Sequence, residues 1–330
     1  MTGRLPVTVL TGFLGAGKTT LLRALLRRPA FARTAVIVNE FGEVPLDHEL
    51  VETSDEQIVE LSGGCLCCVL RSDLTLTLVD LVHRRDRGAV PPFERVVIET
   101  SGLADPAPIL HALMADRAVA ERFAVGRTVA LVDATTGAEA LARHSEARRQ
   151  VALADHVLLT KGDAAPERLP ALHAAVRAIN PVAGRGECRN GDVDPATILG
   201  APARQAGDPP LPADLAPLHD GGIGSFAIVR TAPIGAVALL LFLQTLAETC
   251  GDRLLRVKGI VGIAEAPDRP AVVHGIQHVF HEPRWLDRWP SDDRRTRIVF
   301  ITRGVDRAWA EALLDLVERE TRRAARRSRE

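Results

Sequence analysis

Residues 5–28 read LPVTVLTGFLGAGKTTLLRALLRR and fall into three pieces. Leu5–Leu10 is a short apolar run with β-branched residues, the composition of a buried strand. From Leu21 onward leucines recur at helical spacing. Between them GFLGAGKTT, Gly12–Thr20, fits the pattern G-x-x-x-x-G-K-[ST] in the strand, loop and helix setting that this pattern requires. Gly12, Gly15 and Gly17 let the backbone curl until successive N–H groups and the helix N-terminus face one anion. Lys18 then reaches β- and γ-phosphate oxygens and Thr19 ligates Mg2+. The phosphate-binding candidates are Gly12, Gly15, Ala16, Gly17, Lys18, Thr19 and Thr20.

Further apolar runs follow at AVIVN (35–39), RVVIET (95–100), RTVALVD (127–133) and HVLLTK (156–161), with helix-like stretches between several of them. Strands that are continuously apolar and separated by helices predict a sheet covered on both faces. The fold class expected for residues 1–184 is therefore α/β, a doubly wound, mostly parallel sheet. Residues 185–223, rich in Gly, Pro, Ala and Asp, read as a linker. Residues 224–330 hold SFAIVRT, a helical stretch over 235–249, LLRVKGIVGIA, AVVHGIQHVFH, RTRIVFITR and an amphipathic helix over 305–327. The order β, α, β, β, β, α predicts a smaller α+β domain. The terminal RRAARRSRE reads as a solvated helix end.

Composition narrows the function classes. A chain of 330 residues exceeds the usual single domain. A formal net charge of -1 implies no polyanion partner, so no nucleic acid is expected. There is no run of membrane-spanning length and no secretory pattern at the N-terminus, which predicts a cytoplasmic protein without a membrane partner. Five cysteines in such a chain point to metal or thiol chemistry rather than to disulfides. Of the 41 basic residues only Lys18, Lys161 and Lys258 are lysine, so a lysine marks a place where a compact ammonium is wanted.

Two later stretches extend the phosphate loop into a site. In TKGD, Thr160–Asp163, Asp163 is placed to accept hydrogen bonds from guanine N1–H and the exocyclic amine, and the Lys161 stem to lie along the base. The plainer alternative is a strand-to-helix turn with Asp163 near a helix start. In ERVVIETSGLADP, residues 94–106, a strand ends at Glu99, and Thr100, Ser101 and Gly102 begin a loop able to sense a γ-phosphate. Glu99 is a candidate to hold Mg2+ through water or to position the attacking water, and Gly102 offers an unobstructed N–H. Lys18, Glu99 and Gly102 form the candidate catalytic set.

GGCLCC, residues 63–68, places Cys65, Cys67 and Cys68 together. Zinc takes four ligands, and three thiolates leave one position exchangeable, which suits a carrier better than a structural site. In an extended segment Cys65 and Cys67 share a face and Cys68 does not, so three-thiolate binding needs a turn at 66–68. Glu40, Glu43 and His48 are candidates for the fourth ligand. A redox-sensing thiol pair is the alternative. Cys188 and Cys250 stand alone and read as bystanders. If residues 271–281 form one strand, His274 and His278 share a face about 13 Å apart, too far to chelate one ion unaided. With His281 they read as packing or surface histidines, or as an auxiliary metal site.

Together GFLGAGKTTLL, VIVNEFGEVPLDHELV, ELSGGCLCCVLRSDL, IETSGLADPAPIL, TKGD, LLRVKGIVGIA and VVHGIQHVFH resemble the CobW-type GTPases, P-loop G proteins associated with metal homeostasis. The resemblance spans nearly the whole chain. It implies a GTPase domain followed by a CobW C-terminal domain, with slow hydrolysis of GTP to GDP and phosphate supported by Mg2+. It further implies zinc (Zn2+), alternatively Co2+, delivered to a client protein, a metalloprotein, under GTP control. It makes Glu40 the first choice for the fourth metal ligand, and it places Asp47 in a switch-like segment that can reach Mg2+, the plainer alternative being a solvated loop acid. Thr160 stands where the family commonly has asparagine, which bears on that residue's loop-fixing hydrogen bond more than on Asp163. Two other readings of the same motifs are a P-loop small-molecule kinase with structural zinc and a nucleotide-gated metal or redox sensor.

Overall fold

The computed structural model describes residues 3–39, 58–60, 70–189, 191–200, 211–212, 222–280 and 282–327. The chain divides into two compact units, Met1–Val176 with Ala183–Pro202 and Arg177–Val182 with Ala203–Glu330.

The first unit is built on seven strands: β1 (Leu5–Gly12), β2 (Thr34–Asn39), β3 (Ile58–Glu60), β4 (Arg95–Thr100), β5 (Phe123–Asp133), β6 (His156–Thr160) and β7 (Gly184–Cys188). They lie in the order β3-β2-β4-β1-β5-β6-β7, and every pairing is parallel. The expected doubly wound sheet is thus present, and it is parallel throughout. Its helices are α1 (Lys18–Leu26), α2 (Leu70–Asp86), α3 (Ala107–Ala115), α4 (Arg117–Ala120), α5 (Gly137–Arg143), α6 (Ser145–Leu153), α7 (Leu169–Ile179, as far as Val176) and α8 (Pro195–Leu199). Helix α1 buries Leu21, Leu22, Leu25 and Leu26 against Leu10, Val36, Val97 and Leu131. Each such leucine contributes about 1.5–3 kcal/mol of transfer free energy. Between β4 and β5 the chain crosses β1, so the C-terminal end of β1 is where the strand order reverses, the place where open α/β sheets bind ligands.

Residues 185–199, assigned by composition to the linker, carry β7 from its second residue onward and α8. Gly191 there serves close packing: it takes φ +77°, and an added Cβ would meet the Ala24 side chain of α1. From α8, Ile198 O accepts a hydrogen bond from the buried Thr8 hydroxyl of β1 at 3.3 Å.

The second unit holds β8 (Ile223–Arg230), α9 (Ala236–Cys250), β9 (Leu254–Ile263), β10 (Ala266–Ile276), β11 (Val279–Phe280), β12 (Arg284–Trp285), β13 (Thr296–Arg303) and α10 (Arg307–Arg327). The sheet order is β11-β10-β9-β13-β8 with β12 beside β10, and all pairings are antiparallel. Helices α9 and α10 bury Leu239, Phe242, Leu246, Ala310 and Leu314 with Phe226, Val257, Val261 and Phe300. This is the expected α+β module. One element differs from expectation, because AVVHGIQHVFH is not a single strand. Ile276 pairs with Val279, and Gln277 at the turn has φ +52°, so β10 reverses into β11. Among the described residues no helix is long and apolar enough to cross a membrane.

Candidate functional site

The phosphate loop leaves β1 at Gly12, whose φ is +144° and whose added Cβ would stand 2.5 Å from Leu131 O, so only glycine fits. Gly15 and Gly17 also take positive φ, at +73° and +88°. Gly17 is the N-cap of α1 with no side-chain cap, which leaves the first amides of the helix directed at the loop. Lys18 is buried, and its Nζ donates to Gly12 O at 2.8 Å and to Phe13 O at 3.4 Å. Thr19 donates its hydroxyl to Glu99 Oε1 at 2.6 Å, across 80 residues of sequence. Glu99, at the end of the neighbouring strand β4, is only 3% exposed. Three residues singled out from sequence, Lys18, Thr19 and Glu99, are thus brought to the C-terminal ends of two adjacent strands.

Gly102 lies in the loop after β4, directly on the phosphate loop. A Cβ there would meet Leu14 Cδ2 at 2.6 Å and Leu14 Cα and N at 2.9 Å. Thr100 donates its hydroxyl to Thr11 Oγ1 at 2.9 Å, joining the two strand ends.

The TKGD turn is fastened to the same loop. Thr160 donates its hydroxyl to Ala16 O at 2.9 Å, so the residue that replaces asparagine still makes a loop-fixing bond. Lys161, at φ +54°, donates from Nζ to Gly15 O at 2.9 Å and pairs with Asp133 at 2.7 Å. Asp163 is exposed beside them.

Asp133 and Thr135 escaped the sequence reading. Burial pushes the Asp133 carboxyl up, but hydrogen bonds from Lys161, the Thr135 hydroxyl and the Thr135 amide, with the Lys161 charge, outweigh it and hold the group below its usual range. The signal was present: Asp133 closes the run RTVALVD much as Glu99 stands next to the end of RVVIET, and β4 and β5 flank β1. Gln150 of α6 was also missed; it is buried, and its Nε2 donates to Gly102 O at 3.0 Å and Ala104 O at 3.1 Å. Its signal is a polar residue at a core-facing position between Ala147 and Val151.

The metal candidates Cys65, Cys67, Cys68, Glu40, Glu43 and His48, together with Asp47 and His281, lie outside the described residues. Among the described residues no cluster of three or more His, Cys, Asp or Glu is arranged to hold a metal. Cys188 and Cys250 are buried free thiols in different units, and burial raises the pKa of both. His274 lies opposite Lys258 in the β9–β10 register, and His278 falls in the turn after β10, so the two do not share one strand face.

A fully parallel sheet with a glycine-rich phosphate loop at its reversal point defines a P-loop nucleotide-binding protein. Residues 6–184 match the CobW/HypB/UreG nucleotide-binding domain family, and residues 223–318 match the cobalamin synthesis protein cobW C-terminal domain. The chain belongs to the CobW/HypB/UreG family. It is 33% identical to the zinc chaperone YjiA of Escherichia coli over 89% of this chain and 93% of that one. It is also 33% identical to the zinc chaperone CobW of Pseudomonas aeruginosa, over 92% and 89% of the two chains. The crystal structure of the Zn(II)-bound YjiA GTPase from E. coli superposes with a TM-score of 0.76 at 28% identity, covering 96% of this chain and 99% of that one.

Proposed function

We propose that this chain is a GTP-hydrolysing zinc metallochaperone that loads Zn2+ at Cys65, Cys67 and Cys68 with Glu40 and passes it to a client metalloprotein under GTP control. The observation that carries the reading is the convergence of Lys18, Thr19 and Glu99 on a phosphate loop to which TKGD is fastened by Thr160 and Lys161. Its full-length relatives named zinc chaperones support the choice of metal.

The phosphates of GTP lie against the loop amides and the α1 N-terminus, and Lys18 exchanges its contacts with Gly12 O and Phe13 O for β- and γ-phosphate oxygens. The guanine edge is read by Asp163, with Lys161 held over the loop by Asp133. The Thr19 hydroxyl and Glu99 carboxylate are hard oxygen donors in contact with each other, a set that suits Mg2+, and Asp47 is proposed to join them. Bound there, Mg2+ neutralises charge on the phosphate oxygens. Glu99 orients the water that attacks the γ-phosphorus; the bond to the bridging oxygen breaks, and GDP and phosphate leave. The Gly102 amide reports the γ-phosphate to the loop after β4, and this change, with one in the segment after Asn39, opens or closes the cysteine site. Zinc is cargo here, and Co2+ is the alternative the same donors accept.

The test is zinc stoichiometry and affinity with GDP and with a non-hydrolysable GTP analogue, in the wild type and in the triple Cys→Ala variant at 65, 67 and 68. The variant is expected to lose a zinc equivalent and all transfer while binding GTP normally. Unchanged stoichiometry would sink the cysteine site. Stoichiometry rather than mere presence is the readout, because the YjiA GTPase with one glutamate and two cysteines replaced by alanine is itself described as Zn(II)-bound. ATP outcompeting GTP would instead favour the kinase reading.

A further inference from the structure

We propose that Gln150 and Arg149 of α6 are positioning residues that hold the loop after β4 against the phosphate loop and thereby set the rate of γ-phosphate cleavage; this rests on the GTPase reading above.

Gln150 is 1% exposed on the core side of α6. A buried amide costs about 1–3 kcal/mol unless its groups are bonded, so an apolar residue would be the cheaper choice if packing were all that mattered. Both carbonyls that its Nε2 reaches, Gly102 O and Ala104 O, belong to the loop after β4. The preceding residue, Arg149, forms an ion pair with Asp105 of the same loop. Asp105 Oδ1 in turn accepts from the Ala107 amide at 2.9 Å, at the start of α3. Two successive side chains of one helix therefore grip residues 102, 104 and 105.

On its other side the loop is packed tightly, since Gly102 lies on the backbone of Leu14 with no room for a Cβ. Just before α6, the His144 ring stacks on Phe13 of the phosphate loop at 4.5 Å between centroids. The start of α6 thus registers the phosphate loop, and its second turn registers the loop that faces the γ-phosphate.

GDP is held by residues 12–20 and by TKGD, and Gln150 and Arg149 bond to neither. Releasing their grip affects what is realised only when the γ-phosphate reacts, which appears in kcat and not in ground-state binding.

The experiment compares wild type with Gln150→Met, Arg149→Met and Arg149→Lys. It reads amide hydrogen exchange at Leu103–Asp105 without nucleotide, affinity for a fluorescent GDP analogue, and kcat and KM for GTP. Gln150→Met and Arg149→Met are expected to exchange about tenfold faster at these amides. Their kcat is expected to fall about tenfold, with KM and GDP affinity within about twofold of wild type. Arg149→Lys, which keeps the ion pair, is expected to restore both exchange and kcat. Unchanged exchange, unchanged kcat, or GDP affinity falling in step with kcat each overturn the proposal. Should Gln150→Met fail to fold, the Arg149 pair decides the matter. If the wild type hydrolyses no GTP, the GTPase reading has failed, and exchange in the nucleotide-free protein still shows whether α6 holds the loop.

Discussion

Asp133 ends β5 beside the phosphate loop, and its carboxylate takes hydrogen bonds from Lys161 and from both the hydroxyl and the amide of Thr135. Burial alone would raise this group; the bonds and the lysine charge lower it below its usual range. A lowered value in the folded state means that folding favours the ionised form. The contribution is therefore complete above the ordinary carboxylate pKa and is lost as pH falls through the folded value. Asp133→Asn is expected to be less stable than wild type at neutral pH, with the difference closing below about pH 4. Urea unfolding across pH checks this, and a gap that stays constant from roughly pH 3 to pH 7 counts against it. At this scale the sequence was legible where chemistry and spacing are unusual together, as at Lys18, Thr19 and Glu99. Asp133 was harder to see because its meaning depends on β5 lying beside β1, a fact of topology. Thr160 shows the same limit, since a hydroxyl reaching Ala16 O replaces the amide that the family pattern leads one to expect.

The elements that were legible are those whose apolar spacing has one dominant period, such as β1, α1 and β4. Two segments were misread for opposite reasons. The β10–β11 hairpin turns at Gln277 and His278, without the Asn-Gly or Gly-x pair that announces a tight turn, and apolar residues on both sides made it look continuous. Past β7 the glycines suggested flexible linker, although Gly191 lies against the Ala24 side chain of α1. These readings of Gly191 predict opposite signs. In a linker, Gly191→Ala would be neutral or stabilise by about 0.4–1 kcal/mol through the unfolded chain. In the folded chain the added methyl meets Ala24 at a backbone φ of +77°, and a loss of about 1–3 kcal/mol is expected. Chemical denaturation followed by circular dichroism distinguishes them by sign alone, without requiring an exact magnitude.

Across the whole molecule the two units carry separate cores, one beneath α1 around Leu21, Leu25, Leu131 and Leu158 and one around Phe226, Phe242 and Phe300. Every described residue proposed to touch nucleotide lies in the first unit. The chain has three tryptophans and no tyrosine, and Trp285, Trp289 and Trp309 all belong to the second unit. Tryptophan emission therefore follows the second unit, whereas far-ultraviolet circular dichroism follows the helices of both. A ligand that binds only the folded state stabilises it by about 2.7 kcal/mol at one hundred times its Kd. GDP at that level is expected to move the first transition seen by circular dichroism to higher denaturant and to leave the tryptophan transition in place. Equal shifts in both signals would show one cooperative block and overturn the prediction, because stabilisation of the nucleotide site would then be shared by the second core. ATP at the same concentration is expected to move neither signal, since its adenine offers Asp163 no matching pair of donors.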